Sequence, residues 1–261
     1  MNNNQHIGIF DSGLGGLSVL QHVHQLLPRE HILYIADSGY APYGCQDNSF
    51  IEQRSRVITE HLIAQGAKAI VIACNTATAS IIESFRQEYG IPFIGVEPGI
   101  KPAIIMTKNG HIGIMATTGT LASTRYAELS QRFGNSVNLH NQACPGLVEQ
   151  IEAGLLDDPS TMRLLTIYLN ALALNQVDTI VLGCTHYSFL STQIRQVAGD
   201  TTCLIDSSYA IAEQLARVLE QENLRNITMT GSIHYFSTGS INKTKSSINS
   251  LLGYDVTVNP L

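Results

Sequence analysis

Two apolar runs of nearly the same wording, Ala69-Ile70-Val71-Ile72-Ala73 and Thr179-Ile180-Val181-Leu182-Gly183, each end on a cysteine followed by hydrogen-bonding residues. The continuations are Cys74-Asn75-Thr76 and Cys184-Thr185-His186. Each run reads as a buried strand that delivers a thiol into a polar turn where the next segment can start a helix. That is where a thiol is most easily made a thiolate. A second echo sets the same frame: His6-Ile7-Gly8-Ile9 before Phe10-Asp11-Ser12-Gly13 recurs as His111-Ile112-Gly113-Ile114 before Met115-Ala116-Thr117-Thr118-Gly119. The cysteines are 110 residues apart and the glycine-containing strands 105, so the chain reads as an internal duplication. Two copies facing each other across a pseudo-two-fold axis would bring the cysteines to one ligand from opposite sides. Such an arrangement suits chemistry on both faces of a single carbon.

At 261 residues the chain has room for two lobes of about 100–150 residues, each with its own core. A hydrophobic content of 44% against 14% charged residues is that of a globular protein. A net charge of −6, with no cluster of Lys or Arg, excludes a phosphate-backbone binder, so no nucleic-acid partner is expected. No apolar run approaches the roughly 18 residues of a membrane span. The polar start, Met1-Asn2-Asn3-Asn4-Gln5-His6, lacks the basic and apolar regions of a secretory signal, and a cytoplasmic location follows as an expectation. Five cysteines without a C-x-x-C pair fit neither a disulfide framework nor a structural zinc site, so no metal is expected.

Ile- and Val-rich runs alternate with helical stretches. Strands are predicted near 6–10, 31–35, 68–73, 92–96, 111–115, 136–140, 177–182 and 202–205. The alternation predicts an α/β chain of two pseudo-symmetric lobes, each a mostly parallel sheet flanked by helices, with the active site between them. Helices are expected from Asp47 to Gln65 with Gly66 as the stop, from Asn75 to a stop at Gly90, and from the Asp158-Pro159 cap to about Asn175. Pro98-Gly99-Ile100-Lys101-Pro102 is the expected crossover between lobes, and Asp206-Ser207-Ser208 the return. The tail adds a helix over 209–222 and a strand over 232–237, outside the duplicated region. The expected first lobe is therefore discontinuous, residues 1–97 plus 207–261, and the second lobe covers 98–206.

Ligand sites in such folds lie at the carboxyl ends of strands, where Asp11, Asp37, Cys74, Thr117-Thr118 and Cys184 all fall. Gly13-Leu14-Gly15-Gly16 departs from the G-x-G-x-x-G dinucleotide spacing and reads instead as a tight turn that exposes main-chain N–H groups to a carboxylate. A free cysteine is ordinarily a small buried hydrophobe. Cys45, Cys144 and Cys203 fit that description, whereas the matched context of Cys74 and Cys184 points to a site. Asp11 is readable as a helix cap. His186 has only its place beside Cys184 to recommend it, and Glu152 has the local character of an exposed helix residue like Glu149.

These motifs together resemble the glutamate racemases of the aspartate/glutamate racemase family, over nearly the whole length of the chain. The resemblance rests on residues 10–16, on Tyr34-Ile35-Ala36-Asp37-Ser38 through Pro42-Tyr43-Gly44, and on Ala73-Cys74-Asn75-Thr76-Ala77. Gly95-Val96-Glu97-Pro98, Thr118-Gly119-Thr120 and Leu182-Gly183-Cys184-Thr185-His186-Tyr187 complete it. It implies Cys74 and Cys184 as the acid/base pair, Asp11 and His186 as helpers in proton transfer, and Glu152 as a further candidate. It also implies substrate contacts from Asp11, Ser12, Tyr43, Gly44, Asn75, Thr76, Thr117, Thr118, Thr120 and Thr185. No cofactor, glutamate as substrate, a role in supplying D-glutamate for peptidoglycan, and a homodimer are implied as well.

In such a reaction one thiolate would take the Cα proton while the opposed thiol returns one to the other face. Main-chain N–H groups and Asn/Thr side chains would stabilise the charge that develops on the carboxylate, and lobe closure would exclude water. An aspartate racemase is the neighbouring alternative. A cysteine hydrolase with Cys184 and His186 leaves Cys74 without a task, and the polar start weighs against a periplasmic-type two-lobe binding protein for an acidic amino acid.

Overall fold

The computed structural model describes residues 5–227 and 230–261; the polar residues 1–4 lie outside the described residues. The first half of the chain forms β1 (His6–Asp11), β2 (Ile32–Ala36), β3 (Ala67–Ile72) and β4 (Phe93–Gly95). They are joined by α1 (Leu17–Leu26), α2 (Asn48–Ala64) and α3 (Asn75–Glu88). After α4 (Ile100–Met106) the pattern repeats with β5 (His111–Ala116), β6 (Asn138–Ala143), β7 (Thr179–Gly183) and β8 (Cys203–Ile205). Its connections are α5 (Thr118–Ala122), α6 (Thr124–Phe133), α7 (Leu147–Glu152), α8 (Pro159–Ala173) and α9 (Ser191–Ala198). The chain then closes with α10 (Ser208–Gln221), β9 (Ile233–Ser237), α11 (Ile241–Leu252) and β10 (Val258–Pro260).

Two sheets result, with strand orders β10-β9-β2-β1-β3-β4 and β6-β5-β7-β8, and every pairing in them is parallel. Within the repeated portion the order is the same in both copies: the first strand is central, flanked by the second and third, with the fourth outside. The match extends to packing. A Cβ on Gly8 would lie 2.8 Å from Leu62 Cδ1, and one on Gly113 would lie 2.9 Å from Leu172 Cδ1. In each copy a glycine in the central strand admits a leucine from the helix that precedes the third strand.

Both faces of each sheet are covered, which explains runs of consecutive apolar residues in place of alternation. In the first sheet Ile7, Ile9 and Val71 pack with Leu20 and Leu215, while Phe10, Ile70 and Ile72 pack with Leu62 and Phe85 on the other face. In the second, Met115 and Leu182 pack with Leu165 and Leu169, opposite Ile112, Ile114 and Val181 with Tyr126.

Helix ends follow local chemistry. Asp47 caps α2 by accepting from the Phe50 N–H at 2.8 Å, and Gly66 leaves the helix at φ +87°. Asp158 caps α8, with Pro159 in its first turn. Gly90 does not act as the stop for α3. That helix ends at Glu88 because Tyr89 turns to extended backbone ahead of Pro92. β6 begins at Asn138, two residues later than expected, because Gly134–Ser136 first forms a 3-10 turn.

The chain leaves the first sheet after β4 and returns with α10, and the two connections lie side by side: the Ser207 hydroxyl donates to the Glu97 carbonyl at 3.1 Å. At the amino end of β3 a single charge interrupts an otherwise apolar strand. Lys68 pairs with Glu30 at 2.6 Å, both side chains about 1% exposed, and also donates to the Leu224 carbonyl at 2.6 Å. Removing one partner of a buried pair strands the other charge. Lys68→Met should therefore lower the unfolding free energy by about 3–5 kcal/mol, read from urea denaturation against the parent chain.

Candidate active site

The carboxyl ends of β1, β3, β5 and β7 converge between the sheets. Cys74 follows β3 with one residue, Ala73, between them and serves as N-cap of α3, its sulfur accepting from the Ala77 N–H at 3.4 Å. Cys184 follows β7 and opens a six-residue 3-10 helix, Thr185–Leu190. Both thiols are buried, at 6% exposure each. Each has its own polar companions, and the two sets differ in character.

Beside Cys74 stands Ser12, whose hydroxyl lies 3.5 Å from the sulfur and donates to Asp11 Oδ1 at 3.1 Å. Asp11 is fully buried and does not merely cap a helix. It accepts from the Gly16 N–H just after β1 and from the Thr185 hydroxyl, 3.2 Å away, just after β7 of the second sheet. Burial pushes its carboxyl up, the His186 charge opposes that, and Glu152 reinforces it. Burial, then the Asp11 charge and the nearby Cys184, push the Cys74 thiol far up and favour its neutral form.

Beside Cys184 stands an imidazole. His186 Nδ1 lies 3.7 Å from the sulfur, and Nε2 lies 2.6 Å from Glu152 Oε1. Burial alone would lower the proton affinity of His186. Its hydrogen bonds to Cys184 and Glu152, and their charges, outweigh burial and hold it well above the usual imidazole range. A protonated ring serves both neighbours at once. When Nε2 carries no proton, its lone pair faces the Gly15 N–H at 3.1 Å. Glu152 is thus distinct from Glu149: Glu149 is exposed, while Glu152 is half-buried on the imidazole and accepts from the Leu14 N–H at 2.6 Å.

The glycine turn does present N–H groups to carboxylates, and these belong to the protein: Leu14 to Glu152 and Gly16 to Asp11. It has no room for side chains. A Cβ on Gly13 would sit 2.0 Å from Glu152 Oε1, and one on Gly15 would sit 2.4 Å from His186 Nδ1 and 2.7 Å from its main-chain nitrogen. At Gly13 and Gly15 the approach is therefore made by bare main chain.

The remaining expected site residues lie close by. Thr76 after β3 and Thr117 and Thr120 after β5 form a triangle of hydroxyls, with oxygens 2.9, 3.2 and 3.0 Å apart. Asn75 is buried, donating to the Val96 carbonyl at 3.5 Å and leaving its own carbonyl oxygen unpartnered. Tyr43 is buried, and Gly44 abuts Thr117. Thr118 opens α5 with its side chain exposed, apart from the triangle. A cavity of about 230 Å³ borders Glu152 and is lined also by Leu14, Pro42 and Lys243.

Three supporting residues escape a reading of the sequence. The Tyr34 hydroxyl donates to the Gly13 carbonyl at 3.0 Å, Ser18 donates to the Thr185 carbonyl at 3.3 Å, and Ser247 on α11 donates to the Glu152 carbonyl at 2.8 Å. A phenol inside a fully buried strand is the available signal, since a buried hydroxyl must find a partner. Nothing in the local wording marks Ser247.

The sequence profile of the Asp/Glu/hydantoin racemase family matches residues 7–215. The chain belongs to this family. It is 47% identical over 248 residues to a glutamate racemase of Ectopseudomonas mendocina, covering 95% of this chain and 94% of that one. It is 45% identical to that of Methylococcus capsulatus, over 90% of this chain and 88% of the relative. A glutamate racemase isoform from Bacillus anthracis superposes at a TM-score of 0.92 and 31% identity, covering 100% of this chain and 98% of that one. The Escherichia coli glutamate racemase, solved with L-glutamate and an activator, gives 0.85 at 31% identity with 98% of each chain covered. The chain is thus an isomerase of the racemase class, α/β in fold with two parallel sheets.

The His186 arrangement has a measurable signature. A group whose folded pKa is raised adds stability that is complete below its unfolded value of 6.5 and is lost as pH rises through the folded value. Stability from urea denaturation should accordingly fall with pH above about 6.5, and His186→Asn should flatten that slope.

Proposed function

We propose that this racemase interconverts L- and D-glutamate without a cofactor, passing a Cα proton between Cys74 and Cys184 on opposite faces of the substrate, and so supplies D-glutamate for peptidoglycan. One observation carries the reading. Two buried thiols stand at the ends of matching strands with unlike polar companions, the Ser12 hydroxyl 3.5 Å from the Cys74 sulfur and His186 Nδ1 3.7 Å from the Cys184 sulfur.

In this reading the Cys184 sulfur, paired with His186, removes the proton from one enantiomer while the Cys74 thiol donates to the far face. The roles exchange for the reverse direction, with Asp11 and Ser12 on the Cys74 side taking the part that His186 and Glu152 play on the other. Developing charge on the substrate carboxylate meets the first-turn N–H groups of α3, the Asn75 amide and the Thr185 hydroxyl. The fit of bare main chain around residues 13–16 keeps water out while this happens.

Glutamate is favoured over aspartate by the relatives. A Francisella tularensis glutamate racemase solved with D-glutamate covers 99% of this chain at 27% identity, whereas an aspartate racemase of Picrophilus torridus shares only the fold, at 18% identity. The distal carboxylate would be read by main chain and hydroxyls at Tyr43-Gly44, Thr76, Thr117, Thr118 and Thr120. The lobes in this account are residues 1–97 plus 207–261 and residues 98–206, hinged where Ser207 meets Glu97. The proposal includes a homodimer working in the cytoplasm. Among the described residues no helix is long and apolar enough to cross a membrane.

Circular dichroism of L-glutamate incubated with purified, cofactor-free protein should decay to zero, while L-aspartate keeps its signal. Racemisation of aspartate alone would overturn the substrate assignment. Cys74→Ser should lower kcat/KM in both directions by about 10²–10⁴-fold, the scale of a lost acid/base group. Full activity in that variant would favour a single-cysteine mechanism based on Cys184.

A further inference from the structure

The duplication supplies an internal control for the loop that carries Tyr43-Gly44. In the first copy Asp37 follows β2, and its N–H donates to the Asp11 carbonyl at 2.9 Å; in the second, Cys144 follows β6, and its N–H donates to the Ala116 carbonyl at 3.0 Å. The registers agree, with Ala36 opposite Asp11 and Ala143 opposite Ala116. The two positions are therefore equivalent, and in the second copy the fold is satisfied there by an apolar thiol. The first copy instead buries a carboxylate completely.

That carboxylate needs donors, and it has four. Arg54 on α2 grips it in a fork, Nη2 to Oδ1 at 2.9 Å and Nε to Oδ2 at 3.1 Å. The Tyr43 hydroxyl donates to Oδ2 at 2.5 Å, and the Thr238 hydroxyl beyond β9 donates to Oδ1 at 2.8 Å. Arg54 is held on its other side as well, with its guanidinium carbon 3.7 Å from the centre of the Tyr40 ring. Tyr40 and Tyr43 thus bracket the start and the tip of the loop, and both are tied to the same ion pair.

The tip is seated on the other lobe. A Cβ on Gly44 would lie 2.8 Å from Thr117 Cβ, and one on Gly119 would lie 2.8 Å from the Gly44 carbonyl oxygen. Thr117 belongs to the hydroxyl triangle with Thr76 and Thr120. A shift of the loop of even a few tenths of an ångström would therefore move the groups on which a substrate carboxylate must rest.

We infer that Asp37 and Arg54 are positioning residues: their ion pair holds Tyr43-Gly44 against Thr117 of the opposite lobe and sets how tightly the racemase binds its amino-acid substrate. Neither touches the reacting atoms. The inference deepens the racemase reading above, and rests on it for the identity of the substrate but not for the hold on the loop. Binding and positioning should suffer together when the pair is broken, while the proton-transferring thiols, which sit on other strands, keep their geometry.

Two arms test this with the full chain. In the first, amide hydrogen exchange is followed by mass spectrometry without substrate. Arg54→Met should speed exchange across residues 40–46 by about tenfold or more while α3 and β7 exchange as in the parent. In the second, racemisation is measured from both enantiomers. KM for glutamate should rise by about tenfold in each direction with kcat within about threefold, and Arg54→Lys, which keeps the charge but loses the fork, should recover part of the change. Tyr40→Leu, at an exposed ring, serves if Arg54→Met does not fold, and should give a smaller shift of the same kind. Unchanged exchange at 40–46, or a fall in kcat at constant KM, would overturn the inference. So would faster exchange with KM unchanged, which would make the pair a structural clamp. If the parent chain does not act on glutamate at all, the racemase reading fails by itself, and the exchange arm still decides whether the pair holds the loop.

Discussion

The contact on which the site depends sets bare main chain at residues 13–16 against the side chains of Glu152, Thr185 and His186. Residues 13–16 of the first lobe approach Thr185-His186 and Glu152 of the second so closely that no Cβ fits at Gly13 or Gly15. Because the approach is made by backbone, its N–H groups are free to serve as donors, and they hold Glu152 and Asp11. Glu152 in turn orients the imidazole, which faces Cys184. Without the close approach, Asp11 would lose its hydrogen bond from Thr185, and Glu152 its donor from Leu14. The polar groups at the strand ends of each sheet are therefore completed by groups from the other sheet.

Within that closed space, environment separates two chemically identical side chains. Burial and the neighbouring Asp11 favour the protonated form of Cys74, whereas the partner of Cys184 is a histidine whose own proton is held by Glu152. A duplicated frame thus gives its two thiols unlike surroundings. This is the general device by which like groups are given unlike tasks. The asymmetry comes from which residue type the duplicated frame received at each strand end: Asp11 and Ser12 on one side, His186 on the other.

Much of this was legible in the residues because the repeated wording is itself physical. Gly8 and Gly113 are glycines since Leu62 and Leu172 need the space, and Cys74 and Cys184 end buried strands that have no alternation because both faces are covered. What escaped the sequence is tertiary. Glu149 and Glu152 differ only in which of them faces His186, a matter decided by how α7 sits. The α11 helix and the edge strand β10 lie outside the repeat, so no internal echo announced them, yet α11 supplies Ser247 to Glu152. Asp37 was visible at a strand end, but its partner Arg54 is one of several polar residues on an amphipathic helix. Only the folded chain selects it.

The claim that two groups act on two faces of one carbon is tested most directly by running the reaction in deuterium oxide and analysing Cα during early turnover. Each direction should place solvent deuterium in the newly formed enantiomer while the unreacted substrate keeps its original hydrogen, because the group that removes the proton is not the group that delivers one. Deuterium entering recovered substrate as fast as product would mean that a single exchanging base serves both faces, and the account built on opposed thiols would be wrong.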